Sequence, residues 1–139
     1  MTTPASQTSD ALAIGRQLVD LCNQGKNIDA IQALYADNIV SVEAVDCPES
    51  DTPQTMQGKD AVLGKNQWWV ENHEVHGGKT TGPFPHGEQF IVLMEYDVTP
   101  KVGPMAGQRM QMQEAGLYTV SNGKIIKEQF FYDMSGCGA

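Results

Sequence analysis

Residues 116–133 read GLYTVSNGKIIKEQFFYD, and how this stretch pairs with itself decides the fold. Two runs rich in β-branched and aromatic residues flank Asn122-Gly123. Asn-Gly is the preferred sequence of a two-residue type I′ hairpin, in which both central residues need positive φ. With Ser121 opposite Lys124, regular pairing puts Gln113 across from Tyr132, Ala115 from Phe130, Leu117 from Glu128 and Thr119 from Ile126. Side chains alternate along a strand, so those eight share one face. The other face then carries Met112 with Asp133, Glu114 with Phe131, Gly116 with Gln129 and Tyr118 with Lys127. Glu128 and Tyr132 are thus interleaved with Phe130, either as surface decoration or as polar groups lowered into a pocket.

Outward from the hairpin, the C-terminal half reads as β. Strands are expected near residues 75–82, 88–98, 107–120 and 124–134, joined by GPFPHG, TPKVGP and SNGK. On the second of these, Phe90, Val92, Met94 and Tyr96 alternate with outward-facing Glu95 and Asp97. The N-terminal half reads as helical. Leu12, Leu18, Leu21 and Cys22, with Gly15 between them, form an apolar stripe behind a cap at Ser9 or Asp10. Gly25 suits the left-handed close of that helix. A short helix opening at Asn27 or Asp29 carries Ile28, Ile31, Leu34 and Tyr35 on one face. NIVSVEAVD then reads as a strand and CPESDTPQTMQG as a polar loop. Asp60 is expected to cap a third helix over roughly residues 60–73, with Val62, Leu63, Trp69 and Val70 inward. Helices followed by a long antiparallel sheet point to an α+β fold.

Composition narrows the function. The 139 residues carry a formal charge of −8 and no Lys/Arg cluster, which disfavours nucleic acid and anionic membrane surfaces as partners. Cys22, Cys47 and Cys137 are odd in number and belong to no CxxC or Cys/His cluster, which argues against a disulfide scaffold or a zinc site. The polar start MTTPASQTSD is no secretion signal, no apolar run reaches membrane-spanning length, and a cytoplasmic protein is expected. A Gly-rich phosphate loop and a metal-ligand set are both missing, so no cofactor is expected.

Three stretches resemble one family. NIDAIQALYADNIVSVEA (27–44) resembles the helix–turn–strand opening of the NTF2-like superfamily, MQGKDAV (56–62) its entry to the third helix, and residues 116–133 its closing hairpin. The nearest branches are the SnoaL-like proteins and the ketosteroid isomerases. The resemblance implies a cone-shaped α+β roll, also called cystatin-like: three N-terminal helices packed on a strongly curved, mostly antiparallel sheet. The Ser/Thr-rich residues 1–9 read as a disordered tail and the chain length as one domain over residues 10–139, while the resemblance further implies a ligand cavity in the concave face and a homodimer through the convex face. The expected dimer face carries Met112, Glu114, Tyr118 and Phe131.

Carried over without gaps from YAD, the isomerase general base falls on Glu43, where burial would raise a carboxylate toward the working range. The isomerase Tyr and Asp donors fall on Leu18 and Ala115, so both donors are lost and the two positions become apolar lining. The SnoaL-like pattern GKIxEHWDxxD sets its His at Glu128 and its first Asp at Phe130. The implied ligand is a small, mostly apolar carbonyl compound. The implied chemistry is acid/base isomerisation, cyclisation or dehydration, with Glu43, Tyr132 and Glu128 as catalytic candidates. Gln113, Trp69, Phe130, Leu18, Ala115 and Tyr96 are the substrate-binding candidates. A non-catalytic ligand-binding or dimerisation module of the same fold is the alternative.

Two readings compete at several positions. Glu43 is either in the pocket or solvent-facing, with Val40, Val42 and Ala44 turned to the core. Glu128 is either in the pocket or in a surface ion pair with Lys124 or Lys127. Asp133 faces outward unless a bulge turns it in. His73 and His76 read as helix-end residues rather than metal ligands, and His86 as a turn residue able to cover a cavity mouth. Trp69 belongs to the core, while Trp68 borders the cavity or the dimer contact.

Overall fold

The computed structural model describes residues 4–45 and 53–133. Cys47, Cys137 and much of the loop expected from Cys47 lie outside the described residues. The elements run α1 (Pro4–Asn23), α2 (Asn27–Leu34), β1 (Tyr35–Val42), β2 (Thr55–Gln57), α3 (Lys59–Glu71), β3 (His73–His86), β4 (Gln89–Pro100), β5 (Met110–Ser121) and β6 (Lys124–Phe131). The sheet order is β2-β1-β6-β5-β4-β3, antiparallel throughout except for the parallel β1–β6 pair. The three helices pack on this sheet as an α+β cone roll, the expected class.

Each helix buries one stripe. On α1, Ala11, Ile14 and Leu18 are buried at spacings of three and four, and α2 buries Ala30, Ile31 and Leu34. Gly15 lets α1 settle close on the sheet: a Cβ there would stand 2.7 Å from Pro83 Cβ and 3.2 Å from Phe90 Cδ1. The helix starts differ from those expected. α1 begins at Pro4, a residue suited to the first helical turn, ahead of Ser9 and Asp10. Gly58, not Asp60, occupies the cap of α3, and Asp60 sits in its first turn. Val70, expected inward, is 52% exposed, because the inner stripe of α3 runs through Val62, Lys65, Asn66 and Trp69.

β2 was not expected: Thr55–Gln57, within the stretch read as loop, pairs with Val40–Val42 at the free edge of β1. β3 also continues past its expected end, because register shifts at Val75/Gly77 and Thr81/Phe84 let pairing resume as Phe84 meets Ile91.

The closing hairpin keeps its turn and changes its register. Asn122 and Gly123 have φ of 52° and 75°, as a type I′ turn requires. Ser121 pairs with Lys124 and Val120 with Ile125, but Thr119 then pairs with Lys127. Ile126 is the extra residue, and every later pair is shifted by one: Tyr118 meets Glu128 and Gly116 meets Phe130. This corrects the expected pairing of Gln113 with Tyr132, Ala115 with Phe130, Leu117 with Glu128 and Thr119 with Ile126. Ile125 and Glu128 both point inward, 0% and 1% exposed, although three positions separate them. The even residues of β5, Gly116, Tyr118 and Val120, share that inner face.

Candidate functional site

Between the inner sheet face, the C-terminal end of α1 and α3 lies a cavity of roughly 820 Å³. Trp68, Trp69, Tyr96, Met112 and Phe130 give it apolar walls, and Glu43, Lys65, Glu114, Tyr132 and His73 supply polar groups. A smaller hollow of roughly 530 Å³ beside the β5–β6 turn has Lys124 as its titratable group, and that amine donates to Ala33 O at 2.9 Å.

The polar groups form one connected network. Ser41 and Glu128 are register partners on β1 and β6, and Ser41 Oγ donates to Glu128 Oε2 at 2.6 Å. The Tyr35 hydroxyl donates to the other oxygen of Glu128. Lys65 Nζ reaches in from α3, donating to Ser41 Oγ at 2.6 Å and Glu43 Oε2 at 2.7 Å, and lying 3.9 Å from Glu128 Oε2. Tyr132 closes the chain, its hydroxyl donating to Glu43 Oε1 at 3.0 Å. The ammonium also stands 5.3 Å from the centroid of the Phe130 ring, within cation–π range.

Burial sets the charge preferences. Glu128 is 1% exposed, and desolvation pushes its pKa upward against the pull of Lys65, Ser41 and Tyr35. The Tyr35 phenol is held well above its ordinary range, first by burial and then by Glu128. The Tyr132 phenol is raised by burial and by Glu43. Glu114, on the inner face of β5, is pushed up to about 8 by burial, then by the charges of Glu43 and Glu128, with Lys65 opposing. Its carboxyl is therefore mostly protonated at neutral pH. The Cys22 thiol, also on the cavity wall, is raised to about 11 by burial and Glu128.

The sequence candidates fall into two groups. Glu43, Glu128, Tyr132, Phe130, Trp69 and Tyr96 come together in or beside the cavity. Gln113, Ala115 and Leu18 do not. The β6 bulge turns the odd residues of β5 outward, so exposed Gln113 Nε2 donates to Glu95 Oε1 at 3.3 Å, and Ala115 shares that outer face. Leu18 is 3% exposed in the helix–sheet core. Met112, Glu114 and Tyr118, expected on the dimer face, are turned inward by the same bulge. Glu128 makes no surface pair with Lys124 or Lys127, both of which are exposed on strand positions that face away from it. Asp97 faces outward and accepts two hydrogen bonds from Arg109, at 2.9 and 2.7 Å.

His73 opens β3 directly after α3, stacked on Trp69 at 4.3 Å, while His76 is exposed and bonds Thr99 Oγ1 at 2.8 Å. His86 is an exposed β3 residue. Among the described residues no three His, Cys, Asp or Glu side chains are grouped to hold a metal ion.

Lys65 and Glu114 are the functional residues that sequence reasoning missed. Lys65 had a signal, since it falls three residues after Val62 and four before Trp69 on the buried stripe of α3. Glu114 had none without knowledge of the bulge.

A family model described as the SnoaL-like domain matches residues 10–132. The chain belongs to the SnoaL-like family. A candidate SnoaL-like polyketide cyclase from Mesorhizobium loti is 45% identical, with a TM-score of 0.78 over 86% of this chain and 97% of that one. Two more distant structures share the fold. One, from Catenulispora acidiphila, has a ketosteroid isomerase-like fold: 20% identity, TM-score 0.64, 86% and 85% of the two chains covered. The other, a Xanthomonas campestris protein with a cystatin-like fold, shows 11% identity and a TM-score of 0.72 over 91% and 93%. No curated protein matches the chain. Among the described residues of this SnoaL-like protein, no helix is long and apolar enough to cross a membrane.

Proposed function

We propose that the cavity binds a small, mostly apolar carbonyl compound and catalyses cofactor-independent acid/base chemistry on it, of the isomerase, cyclase or dehydratase kind. One observation carries the proposal: Glu43 and Glu114 line the same cavity, the first held by a cation and the second by burial. Glu43 is ion-paired with Lys65, whereas burial and neighbouring charge keep the proton on Glu114 up to about pH 8. A carboxyl oriented by a cation, beside another that keeps its proton, is suited to divide the base and acid roles.

Glu43 takes the proton from the carbon beside the carbonyl. The freed electron pair moves into the new C=C bond, and negative charge gathers on the oxygen. The Glu114 O–H donates a hydrogen bond to that oxygen in a site of low dielectric. Lys65 and Tyr132 hold the Glu43 carboxylate in place, and Glu128, anchored by Tyr35 and Ser41, positions Lys65.

The test is exchange of the methyl protons of para-hydroxyacetophenone in heavy water, followed by proton NMR. Wild-type protein accelerates exchange over buffer, and Glu43→Gln loses roughly 100- to 10,000-fold of that acceleration. Equal exchange in the variant excludes Glu43 as the base.

A second reading, a binding module without chemistry, draws on one feature. Both oxygens of Glu43 already accept hydrogen bonds, from Lys65 and from Tyr132, so neither is left free for a substrate proton. It is distinguished by ligand binding without exchange in the wild type. The same proposal includes a homodimer, formed through the outer sheet face where Phe84, Ile91, Leu93 and Phe131 are 41–51% exposed.

A further inference from the structure

Among the described residues, the large apolar side chains left exposed fall into two groups. Phe84, Ile91, Leu93 and Phe131 belong to the outer sheet face. Val70, Val75 and Val102 are 52%, 50% and 46% exposed, and all three line the cavity. They come from three elements that meet at one place. Val70 is in the last turn of α3, Val75 is near the start of β3, and Val102 is in the loop after β4. The Lys101 N–H donates to Asn72 O at 2.9 Å, tying that loop to the α3–β3 junction. Side chains that line a cavity and are half exposed stand at its rim. The three valines therefore form an apolar bank where the cavity meets solvent. The charged lining residues Lys26 and Asp29 belong to the start of α2, and Lys79 lies four positions along β3 from Val75, so the bank itself is uncharged.

Strand register shows how far this bank stands from the polar groups. Glu114 pairs with Met94, whereas Val75 pairs with Val98 and Val98 with Met110. Glu114 and Met110 are four positions apart on β5, about 13 Å at the rise of a strand. Glu43 follows Val42, which pairs with Gln129, and Gln129 pairs with Leu117, so Glu43 stands on the far side of Glu114 from the bank. Apolar lining fills the interval. Met112 lies midway between Glu114 and Met110 and pairs with Tyr96, whose ring centroid is 5.4 Å from that of Trp69. At roughly 820 Å³ the cavity is near the top of the range of about 300–1,000 Å³ for small-molecule sites.

We propose that the ligand is elongated, with its carbonyl at the Glu43–Glu114 end and an alkyl tail that runs along Met112 and Trp69 to cover Val70, Val75 and Val102. A chain of roughly ten carbons, at about 1.3 Å per zigzag bond, spans the interval. Binding energy along this path is apolar burial, gained by tail and valines together. An exposed apolar patch continuous with a pocket is the mark of a binding groove. This names the substrate class of the site proposed above. It rests on the cavity being the carbonyl site and is independent of whether chemistry occurs there.

Methyl propyl ketone and methyl nonyl ketone share a carbonyl end and differ in tail length. Titrations followed by tryptophan fluorescence are expected to give the nonyl compound a Kd lower by roughly 100-fold or more in the wild type. The double variant Val75→Thr, Val102→Thr keeps two exposed β-branched side chains and makes the bank polar. Its Kd for the propyl compound stays the same, and the advantage of the nonyl compound falls about fivefold. On the unmutated protein, methyl NMR reads the contact directly. The methyl resonances of Val70, Val75 and Val102 move on adding the nonyl compound and stay put with the propyl one. Equal affinity for the two ketones, an undiminished advantage in the variant, or unmoved valine resonances at saturation each overturns the proposal. So do valine resonances that shift with protein concentration alone and ignore the ketone, which would give the bank to a second copy of the chain. Tail-length selectivity without proton exchange would sink the acid/base reading alone, and exchange without such selectivity would sink this one alone.

Discussion

Lys65 Nζ stands 2.7 Å from Glu43 Oε2, with side chains 11% and 20% exposed, and the same ammonium lies 3.9 Å from Glu128 Oε2. One cation from a helix thus serves two carboxyl groups, Glu128 on β6 and Glu43 just past the end of its parallel neighbour β1. Lys65→Met keeps the stem and removes the charge. The loss is about 1–3 kcal/mol at neutral pH, less than for a fully buried pair because both partners retain some solvent. It also depends on pH. Lys65 pulls the Glu128 pKa down, so the variant raises it further, and a raised carboxyl loses stability as pH climbs through its folded value. Urea midpoints of the two proteins should converge in acid and separate above the ordinary carboxylate range. A constant gap across pH counts against the shared-cation role.

Glu114 gives a second pH signature. Its folded pKa of about 8 exceeds the ordinary value of 4.5, so the folded chain holds this proton more tightly than the unfolded one. The stability so conferred is complete below pH 4.5 and is lost as pH rises to about 8. Glu114→Gln cannot ionise and should flatten the stability curve across that window, becoming the more stable protein at pH 9. The same variant keeps a donor toward a carbonyl oxygen but a weaker one, and proton exchange should fall about tenfold. Denaturation from pH 4 to 9 decides the first point. An unchanged slope excludes Glu114 as the titrating group.

The bulge at Ile126 explains which parts of this site could be read from the sequence. The turn was legible because Asn122-Gly123 has one favoured geometry. The fold was legible because apolar period and turn residues agree along most of the chain. On β6, Glu128, Phe130 and Tyr132 alternate whatever the partner strand does, so their shared face was legible too. Their neighbours across the ladder depend on a single extra residue that leaves no mark in composition. That residue exchanges Gln113 and Ala115 for Glu114 and Gly116. Lys65 was overlooked for another reason: an amine on a helix usually meets solvent, and only the carboxylates brought from β1 and β6 make its burial affordable.

Gly15 tests how closely α1 must approach the sheet. Alanine there favours the helix by about 1 kcal/mol. Its methyl, however, would stand 2.7 and 2.8 Å from two carbons of the Pro83 ring, which has little freedom to move. Overpacking of this kind costs about 1–3 kcal/mol, so Gly15→Ala should be destabilising by about 1 kcal/mol, read as a lower thermal midpoint. A stabilised variant would mean that α1 sits farther from β3.

Tyr35→Phe separates support of Glu128 from packing, since the ring stays and only the hydroxyl leaves. Glu128 would then keep Ser41 and Lys65 as partners. Loss of a donor to a fully buried carboxyl costs about 1–3 kcal/mol and raises its pKa again, so the deficit should widen with pH. A deficit that is the same at pH 5 and pH 8 would assign the hydroxyl a packing role only.

The outer sheet face supplies the last prediction. Leu93 pairs across to Ala115, and Ala115 to Phe131, while Phe84 pairs with Ile91 and Ile91 with Leu117. These pairs form one apolar field across four strands, with Phe84, Leu93 and Phe131 about half exposed. Light scattering behind size exclusion should return twice the chain mass. Leu93→Glu sets a charge in the middle of the field without touching the cavity, and should return the single-chain mass. Its effect on the isolated fold should stay within about 0.5 kcal/mol, since the side chain already meets solvent there. A wild-type protein of single-chain mass at micromolar concentration rules out the dimer. Survival of the double mass in the variant moves the contact to another face.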